Sequence, residues 1–306
     1  MTRKIITVPR TKLFLLYPQR HAKLVVLTAG LLVLTACSPQ AAPSSGTSES
    51  SGSATSAQGY PTGHVHGMSV NPDTNQVLLA THDGLFDISE SPAIQIGPTI
   101  DLMGFTTAGN GDLYASGHPG SGTNLPDPVG LIRSTDRGRT WEPLSRQGES
   151  DFHALAITDG GIVGFDGQLQ TSAEGTLWQP VAEQIPVFNL AASPRDSVVL
   201  ATTEEGLQRS TDGGVTWAAV PEAPLLMFTA LSEGKAAGIT PEGQIHTSAD
   251  AGLTWVEQGS APGEAAAVAT QLLDDSTLRI WVATENSVQV SNDNGQTFTD
   301  IRSNHQ

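Results

Sequence analysis

Ser134-Thr135-Asp136-Arg137-Gly138-Arg139-Thr140-Trp141 is the stretch that decides the fold, because it returns along the chain at nearly constant intervals. The pattern SxDxGxT followed by an aromatic residue recurs at Ser210–Trp217, Ser248–Trp255 and Ser291–Phe298, and one residue shorter at Ser172–Trp178. Its acidic positions, Asp136, Glu174, Asp212, Asp250 and Asp293, are separated by 38, 38, 38 and 43 residues. Self-similarity at such a period is the signature of a repeat architecture in which each unit buries its apolar face only against its neighbours. The residue types suit a tight turn between two strands. A carboxylate accepts turn amides, glycine allows a positive φ, and the Ser and Thr hydroxyls close further bonds.

The motif resembles the Asp-box, or BNR, repeat of sialidases, sortilin-type receptors and related bacterial propellers. The resemblance implies a fold and not a chemistry, since one scaffold hosts many unrelated functions. Around each copy an apolar stretch, a turn and a β-branched stretch recur, as at Val77–Ala80, Val198–Thr202 and Arg279–Thr284. No helical periodicity follows Gly59, so the chain reads as all-β. Repeat units beginning near His64, Asp101, Asp151, Pro186, Leu225 and Glu264 give a six-bladed β-propeller with about four antiparallel strands per blade, and seven blades as the alternative count. The first unit carries no recognisable motif, with Gly84–Glu90 standing in its place.

Ahead of this domain, residues 1–23 hold six cations and no acid, and an almost wholly apolar run from Leu24 to Ala36 follows. That is the layout of a signal peptide, and about 13 residues fall short of the roughly 20 a membrane-spanning helix needs. Leu34-Thr35-Ala36-Cys37 resembles a bacterial lipobox, which makes Cys37, the single cysteine of the chain, the expected lipid attachment site. Residues 1–36 are therefore read as a lipoprotein signal peptide, 37–59 as a lipidated Ser/Ala/Gly-rich tether, 60–302 as the propeller and 303–306 as a tail. The expected product is a monomer held by lipid on the outer face of a bacterial membrane. Removing the leader leaves nine basic against 31 acidic residues, a net charge of about −22, and a field of that sign repels nucleic acid. With no cysteine beyond Cys37, the domain must hold together by packing alone.

Topology sorts residues onto faces. If the strands of a blade run A to D from the channel outward, the A starts and B ends share one face and the C–D turns, with the repeated motif, lie on the other. Asp136, Glu174, Asp212, Asp250 and Asp293 are then structural. On the A-start face the alignment collects His64, His66, His82, Met103, His118 and His153, together with Asp83, Asp101, Asp151 and Asp166. Imidazole with thioether suits copper, and imidazole with carboxylate suits zinc or another divalent ion, so these six residues are the candidate metal ligands. The competing reading has the imidazoles hydrogen-bonding Asp83, Asp101 and Asp151. His246 falls in a C strand and His305 in the tail.

A sialidase would need clustered arginines and a tyrosine nucleophile. Tyr60 precedes the first blade, Tyr114 sits in a B strand, and the alignment places no arginine on the A-start face, Arg146 at the end of a D strand included. Another glycoside hydrolase needs only two carboxylates, for which Asp83, Asp101, Asp151 and Asp166 are candidates. The segments His64-Val65-His66-Gly67, Thr81-His82-Asp83-Gly84 and Gly117-His118-Pro119-Gly120 resemble secreted bacterial propellers grouped with glycosyl hydrolases, a likeness that carries the fold and no activity. The other class is a non-catalytic surface module whose face holds a metal ion, a glycan or a protein. The segment His118–Gly130 is the longest B–C insertion and overhangs the same face, as a lid, a recognition loop or plain elaboration.

Overall fold

The computed structural model describes residues 59–71, 74–89 and 91–302; the expected signal peptide, Cys37, the expected tether up to residue 58 and the tail with His305 lie outside them. The described residues contain strands and no helix. Blade 1 comprises β1 (Val65–Val70), β2 (Val77–Thr81), β3 (Gly84–Asp87) and β4 (Ile94–Ile96), and blade 2 comprises β5 (Ile100–Thr107), β6 (Leu113–Pro119), β7 (Leu131–Ser134) and β8 (Glu142–Ser145). Blade 3 follows with β9 (Ala154–Thr158), β10 (Gly161–Phe165), β11 (Leu169–Ser172) and β12 (Gln179–Pro180), and blade 4 with β13 (Asn189–Ala192), β14 (Val199–Thr203), β15 (Gly206–Ser210) and β16 (Ala218–Ala219). Blade 5 is β17 (Phe228–Ser232), β18 (Lys235–Ile239), β19 (Gln244–Ser248) and β20 (Val256–Ser260); blade 6 is β21 (Ala267–Leu272), β22 (Leu278–Ala283), β23 (Val288–Ser291) and β24 (Thr299–Asp300). Each blade is one antiparallel sheet built from four consecutive strands, so the count is six and not seven. The outermost strands are short, only two residues in β12, β16 and β24, which leaves little unpaired edge.

The core is divided among the blade interfaces. Leu78, Ala80 and Leu85 of blade 1 pack on Ile100, Leu102 and Ile132 of blade 2, and Ala237, Ile239 and Ile245 of blade 5 pack on Leu278, Ile280 and Val282 of blade 6. Comparable clusters fill the junctions of blades 2–3, 3–4 and 4–5. The ring closes through Val65, Leu79 and Phe86 of blade 1 against Ala267, Trp281 and Val288 of blade 6, with Tyr60 inserted between them. Closure therefore rests on side-chain packing and not on an exchanged strand.

The repeated turn has one wiring in four copies. Ser134 Oγ donates to Asp136 Oδ1 at 2.9 Å and accepts from Gly138 N at 2.8 Å, while Asp136 accepts from Thr140 N at 2.9 Å and Thr140 Oγ1 at 2.7 Å. The same bonds form around Asp212, Asp250 and Asp293. The motif glycine has a second duty. A Cβ on Gly138, Gly214, Gly252 or Gly295 would lie 2.3–2.7 Å from Leu85, Val163, Leu200 or Ile245 of the preceding blade. The turns are thus inter-blade fasteners on the face away from the A starts.

The fifth copy departs from the expected structural role of Glu174. Its carboxylate receives no hydrogen bond among the described residues, and Ser172 Oγ is buried without a partner. A turn one residue shorter, with a longer acidic side chain, cannot form the clamp. Gly175 nevertheless keeps its place, its Cβ position 2.8 Å from Leu131 and Leu144 of blade 2, and Trp178 stacks on Phe152 at 4.5 Å. The packing duty survived where the hydrogen-bonding duty lapsed.

Acid stability follows from these turns. The Thr140 hydroxyl, with its amide, holds Asp136 down to about 2. At Asp250 and Asp293 burial pushes the other way, but the hydrogen bonds from Ser and Thr outweigh it and hold each at about 2. Asp212 is lowered in the same manner. A depressed folded-state pKa contributes stability above the unfolded value of about 3.9 and loses it as pH falls toward the folded value. Thermal melts of the domain should be nearly level in this contribution above about pH 5 and drop steeply between about pH 4 and 2. A melting temperature that stays level down to pH 2 would contradict this wiring.

Candidate functional site

The inner strands β1, β5, β9, β13, β17 and β21 surround a channel of about 1530 Å³. His66, Met103, His118 and His153 line it together with Asp151 and Asp166. Two β-bulges aim the first two of these side chains. The β1–β2 register passes from Val65↔Thr81 to Gly67↔Ala80, leaving His66 without an opposite number, and the β5–β6 register skips Met103 between Leu102 and Gly104. A bulge turns a side chain out of the regular pleat. The glycine after each bulged residue lets the next blade approach: a Cβ on Gly67 would stand 3.0 Å from Phe105, and one on Gly104 would stand 2.1 Å from the Phe152 carbonyl. His66 and Met103 are thus equivalent positions, as aligned, though the bulge that orients them had no sequence signal beyond the following glycine.

The six candidate ligands divide into groups. His66, His82 and Asp101 offer one ligand atom each with all three within 4.8 Å of one another. His82 Nδ1 lies 2.8 Å from Asp101 Oδ2, and its ring meets that of His66 edge-on at 4.4 Å between centroids. His66 Nε2 and Asp101 Oδ1 are 3.9 Å apart, and both are buried with no hydrogen-bond partner. Burial pushes the His66 imidazole below its ordinary value, with His82 adding to the effect and Asp101 opposing it, so the ring is neutral at physiological pH. His64 stands behind, 5.7 Å from the His82 ring, and takes no part in the triad.

His118 and His153 belong to a different cluster. Asp151 Oδ2 lies 3.2 Å from His118 Nε2 and 2.7 Å from His153 Nε2, and Asp127 Oδ1 lies 2.7 Å from His118 Nδ1. The hydrogen bond to Asp127 pushes the His118 imidazole up, with Asp151 adding to it, which favours a cation between two carboxylates. The bond also ties down the long B–C loop, which is further held by Val129 N to Gly117 O at 2.9 Å. Asp127, nine residues from His118, was missed in the sequence because nothing local marks the pairing.

The carboxylate candidates separate as well. Asp166 accepts from Ser150 Oγ at 2.6 Å and Gln170 Nε2 at 2.9 Å, with Arg146 at 3.6 Å, so its charge is committed. Arg146 corrects the expectation that no arginine reaches this face: a D strand ends where the next A strand begins. Asp83 sits in the turn after β2 with its Oδ2 2.8 Å from the Cβ position of Gly63, outside the channel lining. Asp151 keeps one buried oxygen, Oδ1, without a partner. Among the described residues no tyrosine lines the channel, and Tyr60 and Tyr114 lie elsewhere. His246 lies on β19, away from the site, its imidazole pushed down by burial.

No protein-family model and no curated protein sequence matches the chain. Solved structures do. The GH74 xyloglucanase from Xanthomonas campestris is 18% identical with a TM-score of 0.55, covering 81% of this chain and 41% of its own, so the chain spans less than half of that enzyme. The WD40 β-propeller domain of Doa1 is 13% identical with a TM-score of 0.50, covering 78% of this chain and 81% of that one. Virginiamycin B lyase from Staphylococcus aureus is 15% identical with a TM-score of 0.49, covering 78% and 84%. Likeness at these identities speaks of architecture alone, and the chain is a β-propeller.

Proposed function

We propose that the chain is an exported lipoprotein, anchored through Cys37 and set off the membrane by the tether, whose propeller binds a transition-metal ion at its channel mouth through His66, His82 and Asp101. The observation that carries this reading is the pair of buried orphans, His66 Nε2 and Asp101 Oδ1, 3.9 Å apart. An unsatisfied buried polar atom costs about 1–3 kcal/mol, and a cation between the two satisfies both. Two imidazoles and a carboxylate are a donor set for zinc and its neighbours in the first transition row. The neutral state of His66 leaves a lone pair to give, and three protein ligands leave a coordination position for water or a ligand group. The recurrence of the SxDxGxT turn supports assigning the propeller to the Asp-box, or BNR, kind.

Metal analysis of the purified full chain is expected to find about one equivalent in the wild type and less than about a tenth of that in His66→Ala and Asp101→Asn. Zinc at a hundred times its dissociation constant should stabilise the wild type by about 2.7 kcal/mol, a rise of about 5–11 °C in melting temperature, and should leave both variants unmoved. Wild type that takes up no metal, or variants that retain it, would sink the reading.

A second reading, glycoside hydrolysis by carboxylates of this face, rests on Asp151, whose Oδ1 is buried and unpartnered beside the channel. A panel of chromogenic glycosides decides it. Turnover abolished by Asp151→Asn would select hydrolysis, and no turnover across the panel removes it.

A further inference from the structure

We propose that Phe188 and Asn189 form a sugar-binding subsite on the arc of the channel mouth between blades 4 and 5, and that its ligand is a neutral glycan. The inference goes beyond the metal reading and does not depend on it. Backbone hydrogen bonds fix the place. His153 N, Phe188 N, Met227 N and Ala266 N each donate, at 2.8–2.9 Å, to a carbonyl near the end of the B strand of their own blade, those of Phe165, Thr202, Ile239 and Ala283. Phe188 therefore occupies in blade 4 the position that His153 occupies in blade 3, on the face of the imidazoles, and it lines the channel.

Contacts to two consecutive residues of blade 5 place both side chains. The Phe188 ring lies 5.6 Å from that of Phe228, with the planes at 58°, and Asn189 Oδ1 accepts from Thr229 N at 2.9 Å and from Thr229 Oγ1 at 3.1 Å. Phe228 packs on the core cluster between blades 5 and 6, whereas Phe188 belongs to no cluster and is 56% exposed. The ring is braced by Phe228 and open over more than half of its surface. A backbone N–H needs an acceptor, so the bond from Thr229 fixes which atom of the Asn189 amide is oxygen. That leaves the two Nδ2 hydrogens in the residue next to the exposed ring, with no acceptor among the described residues.

An apolar face with a fixed donor beside it matches a pyranose, whose axial C–H groups pack on an aromatic ring and whose hydroxyl oxygens accept hydrogen bonds. An organic cation would pack on the ring as well, but an ammonium offers Asn189 no acceptor. The chain holds 31 acidic against 15 basic residues, and a field of that sign opposes uronic and sulfated sugars, so the glycan is neutral.

The test uses the full chain in a detergent without a sugar headgroup. Calorimetric titration with neutral oligosaccharides of glucose, xylose, mannose, galactose and N-acetylglucosamine is expected to find at least one that binds. Asn189→Asp keeps an oxygen for Thr229 and removes both donors, and Phe188→Ala removes the platform. Each should weaken that sugar by about tenfold or more while leaving the melting temperature within about 2 °C of the wild type. Phe188→Tyr should retain binding. His66→Ala should bind the sugar as the wild type does, so that the metal reading and this one fail separately. The proposal is overturned if no oligosaccharide binds, if Asn189→Asp binds as tightly as the wild type, or if tetramethylammonium binds in a Phe188-dependent manner and no sugar does.

Discussion

Gly117→Ala is expected to destabilise the propeller by roughly 3 kcal/mol or more and to weaken metal binding at the same time. Gly117 lies on β6 with φ at +141°, a conformation side chains resist, and a Cβ there would stand 1.9 Å from the carbonyl oxygen of Asp101. That atom is backbone and has no rotamer with which to yield. The clash falls beside the Asp101↔His118 pair, so relief requires β5 and β6 to part where the two side-chain clusters meet. For a domain of this size the loss corresponds to about 6–12 °C in melting temperature. Gly122→Ala serves as the control: its φ is +85° with nothing within 4 Å of the added atom, so it carries backbone strain of about 1 kcal/mol and no clash. Equal melting temperatures for the two variants would show that the close approach of β5 and β6 is not what Gly117 serves.

Tyr60→Ala is expected to cost about 3–5 kcal/mol, the range for deleting a large buried aromatic ring. Tyr60 is only 2% exposed and fills the seam where blade 1 meets blade 6, the one junction that no continuous chain spans. The Arg302 guanidinium lies 5.1 Å above its ring and also donates to the Gly59 carbonyl at 3.3 Å, so the two ends of the described chain are joined there. Because closure depends on packing, a cavity at this seam should favour opening of the ring. Hydrogen exchange measured by mass spectrometry should rise first in β1 and β21, ahead of β9 and β13. Tyr60→Phe keeps the ring and should recover most of the loss. Protection lost evenly over all six blades would mean that the seam is no weaker than the other interfaces.

Much of the fold was legible because the repeat is local. A turn needs Asp, Gly, Ser and Thr at fixed offsets in one short stretch, and blades copy that stretch at a fixed period, so counting motifs counts sheets. Even the motif-less first blade was found by spacing alone. Legibility failed where a residue does two jobs. In the shortened copy Glu174 was read as part of a clamp that does not form, since the sequence pattern does not separate the hydrogen-bonding role of the acid from the packing role of Gly175.

At the site the same limit appears at longer range. Period and alternation placed His64, His66, His82, Met103, His118 and His153 on one rim, and carboxylates beside them. They carried no information on which imidazole meets which carboxylate. The division into His66, His82 and Asp101 on one side and His118, Asp127, Asp151 and His153 on the other depends on distances across two blade interfaces.

What the sequence alone determined is therefore the periodic part: strand order, blade number and the placing of the repeated turns at the C–D ends of the blades, all consequences of local geometry repeated along the chain. What only the tertiary structure decided is the pairing of side chains across blades, the bulges at His66 and Met103, and the burial that keeps His66 neutral beside an unpartnered Asp101 oxygen. Those depend on ångström-scale approach between segments distant in sequence, and on the water excluded when they meet, neither of which a one-dimensional pattern encodes.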